Sequence, residues 1–311
     1  MKLIDLDSLF LQYFQAWLKV NAKKRGVKKS NIDDFYDEVY DLWRRSPIPV
    51  LDVTPVQYVQ TLDVTTAALA AACVSLRKKG KRVPDLLLER IYGAPDRDEV
   101  ILALLQRDTL SEAELAFAID VVEAEGIPDA LPLLAARLLD KDLAERQQWR
   151  ITDMLAEEPS AAVRDYLLDA AQRGDMRVKA LCADVLVEYK GDDRIYRLLV
   201  ELLLSGEIPA VYANYLGAYG NEAAIPHLES LLADCDYATF IELRSAIEQL
   251  GGVMKVERDF SGDPTYEQIM ARGGRGDADI MELLGDGDDG HDDCHDENCD
   301  CHRHGKKDGG R

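Results

Sequence analysis

The sequence predicts an all-α protein: an α-solenoid of stacked helical hairpins, followed by a disordered acidic tail rich in cysteine and histidine. Three observations carry that prediction. Apolar residues recur at spacings of three and four along most of the chain. No stretch shows sustained period-two alternation with β-branched enrichment, so strands are not expected. From about residue 93, short helical segments return at a nearly constant spacing.

The first helix is expected over Asp5 to Lys24, where Leu9, Phe10, Tyr13, Phe14, Trp17 and Leu18 share one face. A second is expected from Ser30 or Asn31, with Phe35, Val39 and Leu42 on its face, ending before Pro47. Thr54 should cap a third, with Pro55 at its first position.

The repeat then begins. DALPLLAARLLD from Asp129, AAVRDYLLDAAQ from Ala161, DRIYRLLVELLL from Asp193 and AAIPHLESLLAD from Ala223 are four short amphipathic helices. Their first buried anchors should be Leu131, Val163, Ile195 and Ile225, separated by 32, 32 and 30 residues. On the third, Ile195, Leu198, Leu199, Leu202 and Leu203 share one face. Partner helices lie between: LAERQQWRITDMLAEE, DMRVKALCADVLVEYK, IPAVYANYLGAYG and DYATFIELRSAIEQLGG, with Leu155, Leu186, Leu216 and Leu250 near their ends. Gly174-Asp175, Gly191-Asp192, Gly206 and Gly220 punctuate the units. Two helices per period cannot bury their apolar faces alone, and stacking makes a continuous core.

These residues resemble the HEAT-repeat superfamily in its short, PBS-lyase-like form. Tyr215 to Asp234, YLGAYGNEAAIPHLESLLAD, is similar to the family's pattern of Leu-Gly, a short turn, then Ala-hydrophobic-Pro-x-Leu. Pro132 and Pro226 fall at matching positions three units apart. MRVKALCADVL, from Met176, resembles the other helix, with Val178, Ala180, Ala183 and Leu186 on the packing side. The resemblance covers about residues 95–252 and implies a right-handed solenoid. It is almost silent on function, because such folds carry many roles. The expected organisation is a helical module over 1–92 that continues into the array, HEAT-like repeats over 93–252, a linker with a weak helix over 253–284, and the tail over 285–311.

Composition narrows the function classes. The 311 residues carry 37 Lys+Arg against 58 Asp+Glu, a formal net charge of −21, which disfavours nucleic acid and anionic membranes as partners. No apolar run approaches the roughly 18 residues of a membrane span. Acids within MKLIDLDSLF argue against a signal peptide, and the cysteines do not form a secreted disulfide framework, so a cytoplasmic location is expected. Cys73, Cys182 and Cys235 sit singly in helical patterns and are expected as core thiols.

The tail carries the one chemical signature. His291, Cys294, His295, Cys299, Cys301, His302 and His304 crowd within 14 residues, with Asp292, Asp293, Asp296, Glu297 and Asp300 interleaved. Thiolate and imidazole suit Zn2+, Ni2+ or Cu, and short spacings let a chain wrap several ligands round one ion. The acids do not follow EF-hand spacing. The bland alternative is a solubilising acidic tail.

Enzyme signatures are missing. There is no GxSxG, P-loop or GxGxxG. The His-Glu pairs of the HEAT-like iron hydroxylases have no counterpart, since His227 is followed by Leu228. His227 itself is expected to be a surface or half-packed residue. Phe10, Tyr13, Phe14, Trp17, Phe35, Tyr36, Tyr40 and Trp43 are expected between two helices, with a peptide-docking groove as the other reading. The basic stretch from Lys19 to Lys29 is the one place an acidic partner could dock, although a solvated loop explains it more simply.

The expected function is a non-enzymatic protein-interaction scaffold, of unidentified partner, with a transition-metal-binding tail. Its contact face would be concave, formed by the second helices of each pair, with Arg150, Arg177, Tyr212, Asn214 and Arg244 as contacts. The alternatives are a metal-trafficking or metal-storage protein whose solenoid docks a client, and an enzyme with an unrecognised site in the groove.

Overall fold

Helices begin where the sequence supplies caps. In the computed structural model, which describes residues 3–49, 52–254 and 256–271, the Asp5 carboxylate accepts the Ser8 N–H at 3.0 Å and opens α1 (Leu6–Arg25). The second helix starts later than its sequence suggests. Asn31 Oδ1 folds back to accept the Lys28 N–H at 2.6 Å, so the side chain serves a turn, two short 3-10 turns follow, and α2 runs Tyr36–Arg44. The third opens as expected: Thr54 caps α3 (Pro55–Gln60) and exchanges hydrogen bonds with Gln57 at 3.1 and 3.0 Å.

The chain continues through α4 (Thr66–Lys78), α5 (Asp85–Tyr92), α6 (Arg97–Leu105), α7 (Glu112–Glu125), α8 (Leu131–Leu138), α9 (Glu145–Glu157), α10 (Ala161–Arg173) and α11 (Met176–Leu186). It ends with α12 (Asp193–Ser205), α13 (Pro209–Tyr219), α14 (Ile225–Glu229), α15 (Tyr237–Gln249) and α16 (Pro264–Ala271). No strand occurs among the described residues.

The described residues form two compact units, the first ending at Tyr189 and the second beginning at Lys190. The division falls inside the run 93–252. In the first unit α1 packs on α2, α3 on α5, and α4 on α5, α6 and α7. Thereafter α6 pairs with α7, α8 with α9 and α10 with α11. Like elements also meet: α6 with α8, α8 with α10, α7 with α9, and α9 with α11. In the second unit α12 pairs with α13, α14 with α15, and α13 lies against α15.

The core follows the apolar periodicity. Leu131, Val163 and Ile195 are buried, as are the other positions of the expected α12 face, Leu198, Leu199, Leu202 and Leu203, and the helix-end residues Leu155, Leu186, Leu216 and Leu250. The fourth expected anchor departs from the pattern. Ile225 is only half-buried, and Ala224, Leu228 and Leu232 fill the core in its place. After Glu229 the chain tightens into i→i+3 hydrogen bonds, Leu231 to Leu228 at 3.1 Å and Leu232 to Glu229 at 3.3 Å, which rotates the later side chains. On α11, Ala183 and Leu186 are buried, while Val178 and Ala180 are half-buried.

Hydrogen bonds repeat with the sequence period. The Arg90 guanidinium donates to the carbonyls of Leu62 and Val64 at 2.8 and 3.3 Å, and Arg137 donates to Leu105 at 2.9 Å. In the second unit Arg258 donates to Leu232 and Cys235, both at 2.8 Å. Each arginine satisfies carbonyls left open where a preceding helix or turn ends. Gly217 has a separate role: a Cβ there would lie 3.1 Å from Ala246 Cα, so its missing side chain sets how closely α13 approaches α15.

Candidate interaction surface

The expected metal ligands His291, Cys294, His295, Cys299, Cys301, His302 and His304 lie outside the described residues. Among the described residues, no group of three or more His, Cys, Asp or Glu is arranged to hold a metal ion.

Of the expected contact residues, Arg150 and Arg177 belong to the first unit and Tyr212, Asn214 and Arg244 to the second. Tyr212 corrects the expectation. It is 2% exposed, a core residue of α13 that meets Tyr215 edge-on at 6.1 Å, and it offers no surface to a partner. The small neighbour Ala213 and the close approach of α13 to α15 turn this position inward. Asn214 is exposed, and Arg244 pairs with Glu248 one turn along α15 at 2.9 Å. Arg177 is exposed and donates to the Asp140 carbonyl at 3.2 Å.

Arg150 is the best-organised of the five. It donates to Asp120 Oδ1 at 2.8 Å and pairs with Glu123, both on α7. The other Asp120 oxygen takes Arg77 of α4, and the Arg77 guanidinium lies 6.0 Å from the Phe117 ring centroid. One carboxylate thus joins three helices, with all three partners about three-quarters buried. Asp120 and Arg77 were missed in the sequence, although Asp120 precedes Arg150 by 30 residues, one period. Next to Arg150 on the outward face of α9, Trp149 is 54% exposed.

A cleft of about 350 Å³ lies beside these elements, between the loop entering α7 and the loop entering α9. Arg137 builds one wall. Besides its bond to Leu105, it donates to the Arg107 carbonyl and pairs with Asp140 at 3.4 Å. Asp108, Glu112, Asp142, Lys141 and Gln147 also line the cleft.

The N-terminal aromatics do pack together, but only Phe10 and Trp43 are fully buried. Tyr13, Phe14, Trp17, Phe35, Tyr36 and Tyr40 remain half-exposed, with Phe14 and Trp17 stacked at 6.4 Å. Arg25 covers the rings of Phe35 and Trp17 at 5.1 and 5.7 Å while pairing with Glu38. Lys19, Lys23, Lys24, Lys28 and Lys29 are exposed, and His227 is half-buried.

Electrostatics distinguish the titratable groups. Burial pushes the Cys73 and Cys182 thiols up to about 12, the opposite of an activated nucleophile. Burial also raises Cys235, against the opposing Arg258 guanidinium 3.5 Å from its Sγ. Glu114 is held down to about 2, first by the Ser111 hydroxyl and then by the Ser111 N–H at 2.9 Å. No helix among the described residues is long and apolar enough to cross a membrane. No family model, curated protein or solved structure matches the chain.

Proposed function

We propose that this chain is a non-enzymatic protein-interaction scaffold with a transition-metal-binding tail. The single observation that carries the scaffold reading is Trp149, a large aromatic left in solvent beside an arginine fixed by two carboxylates. Tryptophan and arginine are among the residue types most enriched at the energetic centres of protein interfaces. The hairpin pairing within each unit fits HEAT-like repeats, read here as right-handed, with the α7, α9 and α11 layer as the binding side of the first unit. Arg150 and Arg177 remain proposed polar contacts of the first unit, and Asn214 and Arg244 of the second. The net charge of −21 fits a protein partner rather than nucleic acid or a membrane surface.

The tail reading rests on ligand density, three cysteines and four histidines between 291 and 304. Zn2+ is the first choice, with Ni2+ or Cu the alternatives its thiolate–imidazole set would also take. The same density favours a second reading, a metal-trafficking or storage protein whose helical units dock a client.

Trp149→Asp in the full chain tests the scaffold. Affinity capture with quantitative mass spectrometry should recover a partner with wild type and lose it with the variant. Identical recoveries would overturn Trp149 as the anchor. Elemental mass spectrometry tests the tail: wild type should carry roughly one ion per chain, and the Cys294, Cys299 and Cys301 to Ser variant should not. Metal absent from reconstituted wild type would leave a solubilising tail.

A further inference from the structure

Gln147 stands out among the polar side chains of the first unit. It is 94% buried at the start of α9, from a relative exposure of 6%, and its carboxamide has no hydrogen-bond partner among the described residues. A buried amide without partners is costly, so such a group calls for a ligand or water. Among the described residues, Arg77 Nε is the one enclosed side-chain polar atom that lacks a partner. The Gln147 amide therefore keeps access to solvent, and the open surface it lines is the cleft.

The cleft's charges specify what could pair there. Asp108, Glu112 and Asp142 line it, and Arg137 is already engaged by carbonyls and Asp140. Lys141 is the remaining cation. Carboxylates outnumber available cations, which disfavours phosphorylated or acidic ligands and favours cationic ones. A carboxamide presents one acceptor and two donors side by side, the complement of a peptide group's N–H and C=O. We infer that this cleft binds an extended basic peptide segment, with the Gln147 carboxamide pairing to its backbone and the acidic lining receiving flanking Lys or Arg side chains. The inference rests on the scaffold reading and adds to it a second site and the chemistry of its ligand.

The test is NMR on the isotope-labelled full chain, following the Gln147 side-chain NH2 signals, assigned by their loss in Gln147→Leu. The probes are acetyl-Lys-Gly-Lys-amide, its Glu-Gly-Glu counterpart, and spermidine. The lysine peptide should shift the Gln147 signals saturably at millimolar concentration, and the glutamate peptide should not. Gln147→Leu should weaken binding about fivefold, one net hydrogen bond. An ester in place of the glycine N–H should weaken it similarly. Unmoved Gln147 signals with the lysine peptide would overturn the inference, and so would equal shifts with spermidine, which has no peptide group. Undiminished binding by a folded Gln147→Leu would do the same, and if that variant fails to fold the wild-type shifts decide. A Trp149-dependent partner that survives while the cleft stays silent removes this inference alone, whereas cleft binding without such a partner removes Trp149 as the scaffold's anchor.

Discussion

The Tyr189 hydroxyl accepts the Ser160 N–H at 3.1 Å and donates to the Leu155 carbonyl at 3.3 Å, so a residue just beyond the end of α11 closes the turn between α9 and α10. Tyr219 does the same work in the second unit, where its hydroxyl meets the Asp192 N–H at 2.7 Å and the Asp192 carbonyl at 2.8 Å. The two tyrosines lie 30 residues apart, and each bonds the residue just before a helix, Ser160 before α10 and Asp192 before α12. Tyr189→Phe strands a part-buried N–H and a buried carbonyl and should cost about 1–3 kcal/mol in urea unfolding. A loss within error of zero would show that water replaces the hydroxyl.

Gly217→Ala should destabilise the second unit. The added methyl would meet Gln249 Oε1 at 2.7 Å, a side-chain end that can swing away, but also Ala246 Cα at 3.1 Å, which cannot. We expect a loss of about 1–3 kcal/mol, the range for overpacking, read as a lowered thermal midpoint. The usual helical gain of Ala over Gly, about 1 kcal/mol, works in the opposite direction. An unchanged or higher midpoint would mean that α13 and α15 separate freely.

Glu114 makes the start of α7 sensitive to acid. Its carboxylate is favoured in the folded state, so its contribution is present above the ordinary value of 4.5 and is lost as pH falls toward 2. Glu114→Gln should cost about 1 kcal/mol at neutral pH, as for other helix caps. The difference from wild type should shrink steadily below pH 4.5. Paired denaturant titrations across that range provide the check, and a difference independent of pH would contradict it.

Thiol labelling should separate the cysteines. Cys73 and Cys182 are fully buried with raised pKa values, so alkylation at mildly alkaline pH should proceed only as fast as their surroundings open. Cys235 is half-buried and should react first of the three. Peptide mapping by mass spectrometry measures each rate, and equal labelling of Cys73 and Cys235 would refute the ordering.

What the sequence made legible follows from which interactions are local. Thr54 and Pro55 opened α3 as expected because capping involves residues three apart. The apolar face of α12 was readable because one helix sets its own periodicity. The late start of α2 was not, since Asn31 can either cap a helix or brace a turn and only the finished backbone decides. Tyr212 was misplaced because α13 is apolar nearly all round, leaving no polar face to orient it. The Arg77–Asp120–Arg150 junction and the unpaired Gln147 depend on helices that meet only in three dimensions. The Cys/His-rich tail was legible as composition, and its residues lie outside the described structure.

The hydrogen bonds that join successive elements have a consequence for biosynthesis. Arg90 with Leu62, Arg137 with Leu105, Tyr189 with Ser160 and Arg258 with Leu232 span 28, 32, 29 and 26 residues. Such short loops cost little closure entropy, and contacts of this kind favour fast folding. Each increment can therefore consolidate soon after it leaves the ribosome, with no need to wait for the far end of the chain.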